Sequence, residues 1–158
     1  MRSLTNCMDL INKILDQIAG PFVAYSHFFL RIATGVSFYL HGLDKFPLPP
    51  QGLIDYFNLS PSLASAVAIF ECVAGVGIIL GGFLNSNNVG SLSFKLGHLI
   101  TRASAFTIVV IMIIAIYLVG WELKKLMQSE EIFLLAVALY FLVVGNFPNK
   151  SNNSQSRD

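Results

Sequence analysis

Residues 62–84 read SLASAVAIFECVAGVGIILGGFL, twenty-three positions with a single charged residue, Glu71. A helix of about 20 residues crosses the hydrocarbon core of a bilayer, and this stretch is long and apolar enough to do so. Its small residues are patterned. Ala64, Ala68, Glu71 and Gly75 recur at three- and four-residue steps, which places them on one helix face. Gly77 and Gly81 form a small-xxx-small pair suited to close helix approach. The spacing predicts a spanning helix whose packed face carries its one charge. The run Gly75–Gly81 is GxGxxxG with no strand before it, so it is not a dinucleotide fingerprint.

The rest of the chain agrees with this reading. Of 158 residues, 54% are hydrophobic and 12% charged, against roughly 25% charged in a soluble domain. Mean hydropathy is +0.66. A chain of this size cannot hide that much apolar surface from water, because a domain of about 150 residues leaves roughly 30% of its unfolded surface exposed. The expected class is all-α: an integral membrane four-helix bundle preceded by an amphipathic interfacial helix. A net charge of +1 gives no basic surface for nucleic acid. Cys7 and Cys72 share no CxxC spacing, and the three histidines form no cluster, so neither a metal nor a resident cofactor is expected.

Spans are expected at about 22–40, 62–84, 103–121 and 131–147, within a membrane domain of residues 22–148. Before them, in the segment 1–21, Leu4, Met8, Ile11, Leu15 and Ile18 form a helical stripe among polar residues, with Gly20-Pro21 as its expected end. No continuous apolar run marks a signal peptide there. The tail 149–158 is Ser/Asn-rich and expected to be disordered. Arg2, Lys13, Lys95, Arg102, Lys150 and Arg157 fall on one side of the spans; Lys45, Lys124 and Lys125 fall on the other. The positive-inside rule then puts both termini in the cytoplasm, with Arg102 as a topology anchor.

Arg31 and Glu71 are the informative charges. Each is the tenth residue of its expected span, counted from Phe22 and Ser62, so antiparallel neighbours would bring them to one depth. An unpaired charge at mid-bilayer costs about 2.5–3.5 kcal/mol on insertion scales. One reading is a buried ion pair that fixes helix register; the other is a polar pocket for a ligand head group or a proton path. His27 shares a face with Arg31, one turn away. His41 and Lys45 close the first span, either as an interfacial helix end with a snorkelling lysine or as the mouth of that pocket. The candidate pocket is therefore Arg31, Glu71, His41, Lys45 and His27. Cys72 is read as a small packing residue.

Leu30-Arg31-Ile32 with Gly35, His41-Gly42-Leu43 with Lys45-Phe46, Tyr56-Phe57, Glu71 with Gly75 and Gly81, and Thr101-Arg102 occur in that order. In this the chain resembles the DoxX family of small four-helix membrane proteins, from about Leu30 to Gly145. The resemblance implies a bundle in the bacterial inner membrane. Some relatives look like subunits of thiosulfate:quinone oxidoreductases, and others accompany thiol and oxidative-stress systems. Here the polar stretch Asn85–Ile100, expected as a loop, separates the second span from Thr101-Arg102, where the family passes quickly. Gly145-Asn146-Phe147-Pro148 stands where the family has a Gly- and Asp-containing end.

Two function classes follow. The first is a membrane subunit or anchor of a redox system, quinone- or thiol-linked. It would carry no cofactor of its own, shape a quinone-type lipophilic site, and meet membrane lipid and a soluble redox partner. The second is a non-catalytic transporter, lipid-binding or scaffold protein.

Overall fold

The computed structural model describes residues 2–84, 91–119 and 130–146, with the side chains of 2–7, 20, 21, 23, 24 and 119 left aside. Among the described residues the chain is all-helical: α1 (Arg2–Leu43), α2 (Gln51–Phe57), α3 (Pro61–Phe83), α4 (Leu92–Val119) and α5 (Glu130–Val144). It divides into two compact units, Met1–Leu30 and Arg31–Asp158, each taken by itself below.

In the first unit, Met8, Ile11, Leu15 and Ile18 are exposed, as a stripe without a protein partner would be. The expected break at Gly20-Pro21 is absent: α1 runs through it. Proline removes one backbone donor and costs about 3 kcal/mol in a helix interior in water, but an apolar setting tolerates it when neighbouring groups satisfy the freed carbonyl.

In the second unit, α3 packs on α4, α4 packs on α5, and the short α2 touches α3. The buried cluster draws on Phe38 of α1, Ala74 and Ile78 of α3, Ala105, Ile108, Val109 and Met112 of α4, and Leu134, Ala138 and Phe141 of α5. The packed face read from α3 is the one observed, since Ala64, Ala68, Glu71 and Gly75 are all buried. Glycine sets the closest approaches. A Cβ on Gly75 would lie 2.6 Å from the Gly35 carbonyl oxygen, and one on Gly81 would lie 2.9 Å from that of Gly97. Gly35 and Gly75 thus let α1 and α3 touch backbone to backbone, and Gly81 and Gly97 do the same for α3 and α4.

Local signals set the ends. Ser60 Oγ accepts from the Leu63 N–H and Pro61 occupies the first turn of α3. Ser91 caps α4, its Oγ accepting from the Phe94 N–H at 3.2 Å. Consequently the third apolar helix begins at Leu92, not at 103. Most of the polar stretch 85–100 is therefore helix, with Phe94 and Gly97 buried; the intervening residues 85–90 lie outside the described ones. Glu130 and Glu131 favour the N-terminus of α5. Gly145, at φ 67°, ends it, its N–H donating to the Phe141 carbonyl at 2.8 Å.

Among the described residues, two helices, Pro61–Phe83 and Leu92–Leu118, are long and apolar enough to cross a membrane. The tail 149–158, Phe147, Trp121, Lys124 and Lys125 lie outside the described residues.

Candidate functional site

The charged groups of the second unit form two separate clusters. The first surrounds Arg31, which is 2% exposed. Its Nη1 donates to the Ile78 carbonyl and to Thr101 Oγ1, both at 2.7 Å. Its Nη2 donates to Asn146 Oδ1 at 2.8 Å and, at a longer 3.5 Å, to the Gly145 carbonyl. The guanidinium carbon sits 4.8 Å from the centre of the Phe141 ring. Gly82 makes room, since a Cβ there would press on the Arg31 side chain.

Around it the acceptors hold one another. Thr101 Oγ1 donates to Asn146 Oδ1 at 2.9 Å, and Asn146 Nδ2 donates to the Gly81 carbonyl at 2.8 Å. The Asn146 backbone N–H donates to His98 Nδ1 at 3.1 Å, so that nitrogen carries no proton. Arg31 thus faces the C-terminal ends of α3 and α5, where unpaired carbonyls concentrate negative dipole charge. Charge-assisted hydrogen bonds contribute about 1.5–3 kcal/mol each, enough together to offset the roughly 2.5–3.5 kcal/mol of an intramembrane charge.

The second cluster lies where α1 ends. Lys45 Nζ donates to Glu71 Oε2 at 2.5 Å and to the His41 carbonyl at 3.0 Å. The Glu71 side chain is 4% exposed and that of Lys45 20%. His41 Nε2 lies 3.4 Å from Glu130 Oε2 at the start of α5. Among the described residues, Lys45 is the one donor to the Glu71 carboxylate. Next to this pair the Pro-rich loop Asp44–Leu53 folds around a cleft of about 500 Å³, with Lys45 in its wall. Cys72 Sγ packs against Gly42 and points to the Tyr39 carbonyl at 3.8 Å, the packing role read for it.

The expected Arg31–Glu71 pair is therefore not formed. Gly35 against Gly75, and Gly42 against Ala68 and Cys72, set the antiparallel register of α1 on α3. That register puts Arg31 beside Ile78–Gly82 and Glu71 beside the end of α1. Seven to eleven residues of α3 separate the two charges, roughly 10–17 Å at 1.5 Å per residue. Counting from the expected span starts failed because the helix boundary at Phe22 does not exist. Of the five candidates, Lys45, Glu71 and His41 come together, Arg31 stands apart, and His27 belongs to the first unit, half-buried on α1. Arg102, the expected anchor, is exposed and donates to the Val143 carbonyl at 2.8 Å. The sequence reading missed Asn146; a Gly-Asn pair at a helix end was its available signal.

Among the described residues, two bilayer-length apolar helices, with Arg31 and Glu71 buried in the helical interior, point to a membrane protein. The DoxX family model matches residues 26–97, so that segment is similar to the DoxX family. The match takes in Lys45, Glu71 and His41 entirely, but ends before Thr101 and Asn146. No curated protein and no solved structure matches the chain.

Proposed function

We propose that this chain is a four-span bundle of the bacterial inner membrane, with both termini cytoplasmic. In this reading it serves as the membrane subunit or anchor of a quinone- or thiol-linked oxidoreductase system. Segments of α1 and α5 supply the remaining two spans. The observation that carries the proposal is the Lys45–Glu71 pair, a buried carboxylate with one donor, set beside the cleft of loop 44–53. The orientation rests on charge. Lys95 and Arg102 sit towards the end where α4 begins and α3 and α5 finish, whereas Lys45 sits at the other.

At this site Lys45 donates a hydrogen bond to a carbonyl of a lipophilic quinone, and Glu71 passes it a proton. His41 and Glu130 link Glu71's end of the unit to the aqueous side. The two electrons come from a soluble redox partner, and Glu71, protonated from the aqueous side before each transfer, delivers the two protons that turn the quinone into quinol. Arg31 is a structural residue here, because its donors are already engaged by the protein. The same saturation of Arg31 favours a second reading, a non-catalytic transporter, lipid-binding or scaffold bundle.

The test is purification of the tagged protein with its native lipids, followed by mass spectrometry for small lipophilic molecules and co-purifying proteins, with Glu71→Gln in parallel. A quinone or redox partner present in the wild type and depleted in the variant supports the redox reading. Bulk lipid alone, identical in both, removes it and leaves the second.

A further inference from the structure

An exposed basic strip runs along α4 at the end of the unit where Arg31 is buried. Lys95 and Arg102 are seven residues apart, so they share one face, about 10 Å apart along the axis. Both side chains are exposed. The Lys95 ammonium meets no protein acceptor among the described residues. Arg102 gives a single N–H to Val143 at the end of α5, and its other donors stay uncommitted there. The chain offers them no anion nearby in sequence: no Asp or Glu occurs from Cys72 to Trp121, or from Ile132 to Arg157. Immediately along the same faces the surface becomes apolar, with Leu99 64%, Phe106 58% and Val143 72% exposed.

We propose that this face of α4 and α5 binds an anionic phospholipid, with Lys95 and Arg102 on its phosphate and Phe106 and Val143 against the first methylenes of its acyl chains. The Arg102 guanidinium is held at the Val143 carbonyl by one N–H, on the helix face that Lys95 shares. Its planar fork suits two phosphate oxygens at once, and the lysine adds a point charge. Lipid is the occupant that fits, because basic side chains and bare aromatic and aliphatic ones follow one another along the helix axis in the order of a headgroup and its chains. This site is separate from the Lys45–Glu71 cluster, and its test does not depend on any redox activity.

The full chain is placed in nanodiscs of phosphatidylcholine with a minor fraction of phosphatidylglycerol, and the lipids retained after release are counted by native mass spectrometry. The wild type retains phosphatidylglycerol selectively. Lys95→Gln lowers that selectivity about fivefold, the effect of one basic residue near an anionic surface. Arg102→Gln lowers it at least as much, and Lys13→Gln, an equal loss of charge elsewhere, leaves it unchanged. Arg102 also holds α5, so Lys95→Gln, which breaks no protein contact, decides the matter if the Arg102 variant does not fold. Absence of selectivity in the wild type, as expected if an acidic protein segment is the natural occupant, overturns the proposal. An equal fall in Lys13→Gln overturns it too, by making the effect one of net charge.

Discussion

Arg31→Lys separates a structural arginine from a ligand-binding one. The charge is retained; the planar fork is lost. In the wild type the two terminal nitrogens divide their work: one serves Ile78 of α3 and Thr101 of α4, the other Asn146 beyond α5. An ammonium on a shorter reach cannot serve both walls, and it gives up the guanidinium stacking on Phe141. Losing the Asn146 bond removes about 1.5–3 kcal/mol as a charge-assisted hydrogen bond, and the ring contact adds about 0.5–2 kcal/mol. The expected destabilisation is therefore about 2–5 kcal/mol, partly recovered if water enters beside Asn146. Reversible unfolding in mixed detergent micelles, followed by circular dichroism, measures it. Asn146→Ala should fall in the same range, and the double variant should lose clearly less than the sum, since both changes remove one bond. A lysine variant within about 0.5 kcal/mol of the wild type, the scatter of an ordinary surface substitution, would refute the structural assignment and return Arg31 to the pocket.

Two further outcomes follow from the packing and the second charge cluster. Gly75→Ala forces α1 and α3 apart, because the atom in the way is backbone and cannot rotate aside; a loss of about 1–3 kcal/mol is expected. Gly52→Ala, where a new Cβ meets nothing within 4 Å, should be neutral or stabilising by up to about 1 kcal/mol; the same unfolding assay ranks the two, and equal effects would contradict the close-approach argument. Lys45→Met leaves the Glu71 carboxylate buried without its partner and should cost about 3–5 kcal/mol. Adding Glu71→Gln should restore much of that loss. Strict additivity in this double-mutant cycle would mean that the pair is not coupled.

The helices were legible where apolar length and small-residue period agreed. Residues 62–84 gave α3 almost to the residue and identified its buried face, because both signals depend only on local sequence. The start of α4 was not legible from polarity, since Ser91, Ser93 and Lys95 are helix-start residues that also compose loops; the hydrogen bond of Ser91 to Phe94 is what distinguishes the two. Which charges meet was the hardest part. Depth counting needs a helix boundary, and α1 has none at Phe22. The register is set instead by Gly35, Gly42 and Gly75, whose meaning emerges once the two helices are placed together. Lys45 stands just past the expected span end, where it reads equally as a snorkelling lysine or as the mouth of the pocket; that Glu71 takes Lys45 rather than Arg31 as its partner depends on the register. Asn146 takes part through a contact 115 residues distant in sequence from Arg31, beyond any local pattern.

That separation has a consequence for synthesis. Thr101 follows Arg31 by 70 residues and Asn146 by 115. At about 5–20 residues per second, Asn146 is polymerised roughly 6–23 s after Arg31. Until that interval closes, the nascent chain holds an arginine in an apolar helix without its Gly145 and Asn146 acceptors. The last described turn of the protein thus completes the arginine's shell: a chain cut short before Gly145 keeps the bonds of Nη1 to Ile78 and Thr101 but loses both of these acceptors of Nη2.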